Sequence, residues 1–396
     1  MRRASGFDRT RREVIATSVA VGSAAVAGCV SGTDPGESNE DDTATNDPYT
    51  VTMAPAGEVE FDDVPENAFV TFPQYADMMV ALGHDEAANT LFAPEMAGPT
   101  MNSFYDHLEG VGFEWDGLSN PLEQGLVRER LYDLDSDVHF LDPSYVLTTE
   151  GDWDESDIDE IAESIGPWVG NFHSGVHSDP ADAYADSYEY YTLWELFETV
   201  AAVFQERERY EALEAAYDDL RSHIESNLPP ESERPTAARV TLGDGEFYTY
   251  HLNAPGFWQA DTRPLGARDA LADREWSGDW GVLDYEAMAE ADPDVILHLW
   301  GITPQYSIES VRDALEDHPV GSDLTAVRNE RVVAGGMRYQ GPLMNLFQLE
   351  MTAKQLYPER FGEWPGYVAA ESYPDIPADE RLFDRQRVAD IVTGDR

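Results

Sequence analysis

Arg338 carries the chain's clearest chance of ligand chemistry. It follows Gly335-Gly336 at the end of an apolar run, where the backbone turns and a side chain can reach out. A guanidinium presents a planar fork of donors that matches a carboxylate or a metal-bound oxygen two bonds at a time. Pairing with one of the many nearby acids is an equally open reading of the same residue. Aromatic residues fall just after other predicted strands. In the first half these are Tyr75, Phe92, Trp168 and Phe172, with His173 beside them. In the second half they are Tyr248, Tyr250, Trp300 and Tyr339. Taken singly, each reads as a core residue. Taken together they outline an aromatic cleft with few cations.

Direct metal binding and catalysis are the competing chemistries. His173 and His177 are four apart, but Ser174-Gly-Val between them and Pro180 after them read as a loop. His173, His251 and His298 could be taken as ligands of zinc or manganese, given a carboxylate from another loop. Ordinary packing is the simpler reading of all three, so no metal site and no cofactor are expected. The chain has no Gly-x-Ser-x-Gly elbow and its one Cys lies near the N-terminus. Paired acids of the kind a glycosidase needs cannot be told from a generally acidic surface. No enzymatic activity is expected.

The elements that must position these residues are an α/β set. In the first half, residues 68–72 read as a buried strand, 75–82 as a helix closed by Gly83, 90–93 as a strand, 94–99 as a loop, and 138–141 and 167–172 as strands. In the second half, 237–242 and 246–252 read as strands joined by the turn Gly243-Asp-Gly245. Residues 284–291 read as a helix, 292–301 as a buried strand entering a loop, 326–336 as a turn and a last strand, and 343–356 as an amphipathic helix. Strand, helix, strand in this rhythm predicts parallel sheets, whose ligands lie beyond the carboxyl ends of the strands. Between the two halves, residues 205–228 contain no Gly or Pro and stop at Pro229-Pro230. Tyr210, Leu213, Tyr217, Leu220, Ile224 and Leu228 form one apolar stripe. At 1.5 Å per residue this helix reaches about 35 Å. The organisation predicted is α/β, with two Rossmann-like lobes (49–204 and 229–396), one long α-helix (205–228) joining them, and the ligand cleft between. A helical hinge predicts a small closing motion.

Composition bounds partners and location. The 396 residues carry a net charge of −53, with 25 Lys and Arg against 78 Asp and Glu, and Lys354 is the one lysine. No basic face exists to neutralise phosphates along a nucleic acid, so that partner is excluded. Acids spread evenly through the chain fit solvation in molar salt, where the Debye length is about 3 Å, and a halophile is expected as the source. At the N-terminus, Arg11 and Arg12 precede a run of small apolar residues too short for a membrane span. This resembles a twin-arginine export signal, and it closes on Val26-Ala27-Gly28-Cys29, which resembles a lipobox. Residues 1–29 are therefore expected to be an export signal ending in a lipid anchor at Cys29. Residues 30–48 are expected to be a disordered acidic tether.

Several stretches carry a more specific likeness. They are Asp63-Val-Pro-Glu-Asn-Ala-Phe-Val, Met79-Val-Ala-Leu-Gly83, Leu283-Asp-Tyr-Glu-Ala-Met, Asp292-Pro-Asp-Val-Ile-Leu, Leu324-Thr-Ala-Val-Arg-Asn-Glu-Arg-Val-Val-Ala and Leu356-Tyr-Pro-Glu-Arg-Phe361. In this order and spacing, from about residue 51 to 361, the chain resembles the substrate-binding lipoproteins of ABC importers, in the class with a long backbone helix that serves iron-siderophores, haem and cobalamin. The resemblance implies a haloarchaeal extracytoplasmic receptor, lipid-anchored to the outer face of the cell membrane and monomeric. It would capture a small-molecule chelate, an iron siderophore first of all, and deliver it to an ABC permease and ATPase complex. Cobalamin or haem, a zinc or manganese receptor, and an exported hydrolase or a surface receptor that meets no permease are the alternatives.

Overall fold

Parallel pairing of short apolar runs builds the first sheet. In the computed structural model, which describes residues 48–276, 280–304, 306–368 and 372–394, strands Ala68–Val70 and Val138–Phe140 run side by side with Ala68 opposite Val138. Single parallel bridges widen the sheet: Ala68 to Ala88, Thr90 to Ser119 and His139 to Trp168. The expected strands at 90–93 and 167–172 thus contribute one bridged residue each. The chain leaves the sheet early because Ala93 takes a left-handed turn at φ 46° straight into helix Pro94–Tyr105. That helix replaces the loop expected at 94–99. Pro94 occupies its first turn, where a missing N–H costs nothing, and Pro99 forfeits one backbone bond inside it. Arg11, Arg12, Cys29 and most of the tether lie outside the described residues.

The second sheet has the order Val332–Ala334, Val295–His298, Thr236–Gly243, Glu246–Thr249 and Gly281–Leu283. The first three strands are parallel and the last two add an antiparallel edge. Asp284 caps the helix Tyr285–Ala291 by accepting from the Ala287 N–H. The architecture is α/β with two lobes, as the periodicity predicts.

The joining helix spans Arg207–Asn227, shorter than expected at its start because Gln205 adopts φ 56° and breaks it from the preceding helix Leu193–Val203. Tyr210, Leu213, Ala216, Leu220 and Ile224 are its buried stripe. Tyr217 is half-buried, stacked on Trp194 with ring centroids 4.5 Å apart. A correction concerns helix Pro342–Leu356, expected to be amphipathic. Every one of its residues is buried. Its charged side chains find partners inside the protein: Glu350 accepts from Arg385 at 3.0 Å and from the Leu382 N–H, and Lys354 donates to the Phe361 carbonyl. It packs on helices Pro73–Leu82, Leu193–Val203 and Arg207–Asn227. The second-lobe assignment runs to residue 396, yet the last helix, Arg385–Thr393, packs on Arg207–Asn227 and on Pro73–Leu82. The long helix is therefore one of several elements that hold the lobes together.

Candidate functional site between the lobes

Four strand ends of the first sheet and two of the second converge on one aromatic cluster. Phe72 follows strand Ala68–Val70, and Phe92 is drawn beside it by a 2.7 Å bond from its N–H to the Thr71 carbonyl. Tyr145 follows strand Val138–Phe140, and Phe172 follows the bridge at Trp168. The buried Asp142 carboxylate accepts from the Phe172 N–H at 2.7 Å and from Tyr188, fixing that ring's approach. Burial raises the Asp142 pKa above the usual carboxylate range, and these bonds oppose the rise. From the second lobe come Trp258, Trp300, Arg338 and Tyr339. Phe72 lies 5.0 Å from both Phe172 and Tyr339, Tyr145 lies 4.4 Å from Phe172, and Trp258 lies 5.6 Å from Phe172 and 5.8 Å from Tyr339. The cluster spans both lobes.

Arg338 stands over this floor. Its guanidinium is 4.4 Å from the Trp258 ring, 4.7 Å from Tyr339 and 5.5 Å from Trp300, and its Nη2 donates to the Tyr339 hydroxyl at 2.7 Å. Cation–π contacts of this kind contribute about 0.5–2 kcal/mol each and fix the plane of the fork. Trp300 sits at φ 64°, a left-handed conformation costly for an aromatic residue, and its N–H bonds to the Gly336 carbonyl at 3.0 Å. Backbone strain held in this way is frequent at ligand sites. Among the described residues, the side-chain amides of Gln74 and Gln259, the Trp258 indole N–H and the Tyr250 hydroxyl are buried without a partner, and so could meet polar groups of a ligand.

A buried polar network supports the second-lobe wall. Arg239 grips Asp261 with two bonds, 2.8 and 3.1 Å, and donates to the Trp258 carbonyl at 2.7 Å. Gln340 donates to Asp261 at 3.0 Å and accepts from Asn345 and Gln348. The loop that carries Arg338 and Tyr339 is thereby tied to the helix Pro342–Leu356.

The predicted residues divide clearly. Phe92, Phe172, Trp300, Arg338 and Tyr339 are in the cluster. Tyr250 lies at its margin, 5.9 Å from Trp258, and His173 at another, 5.9 Å from Phe172. Three lie elsewhere. Tyr75 is buried under the first sheet, stacked on Phe140, with its hydroxyl accepting from the Asn171 N–H. Trp168 packs on His139 and Trp153. Tyr248 is on the outward face of its strand. Phe72, Tyr145 and Trp258 complete the cluster. Phe72 ends an apolar run just before a proline, which is the signal that marks a strand's carboxyl end.

The histidines are engaged separately. His298 accepts from the Leu242 N–H at 3.0 Å, and burial lowers its pKa to about 4. His251 stacks on Trp276 and faces Asp269 at 3.2 Å. Among the described residues no group of three His, Cys, Asp or Glu side chains converges as a metal site would require. Beside the cluster a cavity of about 680 Å³ opens between the lobes, lined by residues 176–179 and by Tyr250, His251, Ala254, Arg274, Glu275 and Trp276. Ligand sites fall in this size range.

The lobes touch at Gly175. A Cβ there would lie 2.6 Å from the Trp258 ring, which is fully buried and cannot swing away. Gly175→Ala is expected to destabilise the protein by about 1–3 kcal/mol through overpacking, with weaker ligand binding as Trp258 shifts. Denaturant unfolding and a binding titration on the same variant check this.

A chain whose two α/β sheets face each other across an aromatic cleft has the build of a two-lobed binding protein. Residues 128–339, more than half of the chain, match the periplasmic binding protein family, and the chain belongs to that family. A periplasmic binding protein from Veillonella parvula is similar at 16% identity over 78% of this chain and 97% of that one, with a TM-score of 0.55. An ABC-type Fe3+-hydroxamate transport system protein from Saccharomonospora viridis is similar at 18% identity, covering 80% and 100%, with a TM-score of 0.52. Ceue from Helicobacter pylori with Ni(II) bound is similar at 12% identity, covering 79% and 90%, with a TM-score of 0.52. At these identities the likeness is one of fold. A comparison with curated protein sequences found no match.

Proposed function

We propose that this chain is the extracytoplasmic receptor of an ABC importer, and that it captures an anionic metal chelate of the ferric siderophore type between its lobes. The observation that carries the reading is the Arg338 guanidinium held over Trp258, Tyr339 and Trp300 at the convergence of both sheets. Aromatic faces accommodate the organic body of a chelate, and the fork takes a carboxylate or a metal-bound oxygen. The separate engagement of His251 and His298 favours a metal that arrives already chelated over a bare ion. Arg338→Ala is expected to weaken binding of a ferric siderophore by about 10- to 150-fold, the worth of a charged hydrogen bond of about 1.5–3 kcal/mol. Unchanged affinity in a calorimetric titration removes Arg338 from the site.

The proposal extends to location. Arg11 and Arg12 route the precursor through twin-arginine export, Cys29 carries the lipid, and the acidic segment after it tethers a monomeric receptor near its permease. Cys29→Ala is expected to release the protein into the medium. Continued fractionation with the membrane contradicts the anchor.

A further inference from the structure

At the opposite end of the second lobe's strands from the aromatic cluster lies a pocket of about 460 Å³ that departs from the charge of the whole chain. Overall the sequence holds 25 cationic residues against 78 acids. In this pocket four arginines, Arg234, Arg268, Arg331 and Arg360, meet three carboxylates, Glu233, Asp294 and Glu359. The pocket forms where strands Thr236–Gly243, Val295–His298 and Val332–Ala334 begin, beside the first turn after helix Pro342–Leu356.

Three of the four side chains bond backbone carbonyls, as Arg130, Arg263 and Arg312 do, rather than carboxylates. Elsewhere, arginines such as Arg128, Arg207, Arg239, Arg274, Arg385 and Arg387 form ion pairs. Among the described residues none of these four does, although acids outnumber cations about threefold along the chain. The Asp294 carboxylate accepts from the Thr236 N–H and hydroxyl, at 2.8 Å each, and acts on Arg268 and Arg331 through space without a direct ion pair. Arg234 uses two of its nitrogens on the Pro229 and Gly266 carbonyls, Arg268 one on the Arg234 carbonyl, and Arg331 one on the Gln355 and Leu356 carbonyls. Arg360 makes no side-chain bond among the described residues and is exposed. The backbone bonds pin three guanidinium groups in place while leaving most of their N–H donors uncommitted. Four forks around one concavity, three of them pinned by backbone carbonyls and only partly offset by Asp294, can bind a tetrahedral oxyanion, since each fork can give two bonds to phosphate oxygens.

We propose that this pocket binds a phosphate-type oxyanion, either a soluble phosphate or the phosphodiester headgroup of an anionic lipid. It is independent of the ligand cleft. The test is a titration of the full chain with inorganic phosphate at fixed high potassium chloride, read by thermal unfolding. Phosphate also stabilises proteins in general by exclusion from their surfaces, but that effect does not saturate and is blind to single residues. The proposal expects a saturable rise in the unfolding midpoint, with apparent affinity lowered about tenfold or more in Arg360→Glu and in Arg268→Glu. Arg360→Glu leaves no internal bond broken, so misfolding does not confound it. A second arm compares sedimentation with vesicles of phosphatidylglycerol and of phosphatidylcholine. A phosphatidylglycerol preference that Arg360→Glu abolishes assigns the lipid source. A saturable phosphate response with no vesicle preference assigns the soluble one. A response that fails to saturate, or a phosphate or vesicle response that both variants leave intact, overturns the site.

Discussion

Arg239→Ala is expected to cost about 3–5 kcal/mol of stability. Arg239 and Asp261 are both at most 2% exposed and bonded at two points. Removing the guanidinium leaves a carboxylate with no route to water, and that uncompensated charge dominates the cost. The Trp258 carbonyl loses its partner as well. The double replacement Arg239→Met with Asp261→Leu removes both charges at similar volume and should recover most of the stability. It should not recover binding, because Gln340 then has no Asp261 to hold the loop that carries Arg338. Denaturant midpoints for the three proteins, each with a ligand titration, separate these effects. A single variant as stable as the double would contradict the buried-charge account.

Asp77 should set the pH profile of stability. It projects from helix Pro73–Leu82 and accepts from the Leu343 and Met344 N–H groups at 2.9 and 3.2 Å, with Tyr105 on its other oxygen. It thus caps the buried helix Pro342–Leu356 from the first lobe. Burial is the largest influence on it and raises its pKa to about 7, against the bonds that lower it. The sign follows directly. Between about pH 4 and 7 the unfolded carboxyl ionises while the folded one keeps its proton, so the folded state binds more protons. This contribution is fully present below pH 4 and is lost as pH rises to about 7. At about 1.4 kcal/mol per pKa unit it reaches up to about 4 kcal/mol. Asp77→Asn should flatten this slope while keeping an acceptor for the helix. Asp77→Ala should cost more than about 3 kcal/mol by leaving three buried donors unpaired. Unfolding free energies at pH 5 and 7.5 for the three proteins decide it. An equal slope in wild type and Asp77→Asn would place the titration elsewhere.

Much of the cleft was legible because its residues obey one local rule. Phe92, Phe172, Trp300, Arg338 and Tyr339 each follow an apolar run at the point where it ends. Tyr248 could have been excluded by alternation, since Phe247 faces in and Tyr248 therefore faces out. Tyr75 sits inside the helix that follows the strand, and its ring turns back beneath the sheet. Trp168 lies on the sheet bridge itself, not beyond it. What local pattern could not show is the lock between lobes. Asp77 and Leu343 are 266 residues apart, and no periodicity links them. The same blindness turned helix Pro342–Leu356 into an apparent surface helix. Glu350 reads as a solvent-facing charge until Arg385, 35 residues later, arrives to neutralise it. The long helix also shares its joining task with two further helices from the C-terminal part of the chain, Pro342–Leu356 and Arg385–Thr393.

The central claim, that the interlobe cluster binds an anionic metal chelate, is tested most directly by thermal unfolding in molar salt. The panel is ferric hydroxamate and catecholate siderophores, haem, cobalamin, and free Zn2+ and Mn2+. A ligand bound to the native state at 100 times its Kd adds about 2.7 kcal/mol of stability. The account predicts a saturable rise with a ferric siderophore that Arg338→Ala largely removes. Stabilisation by free Zn2+ or Mn2+ alone, with no response to any chelate, would contradict it.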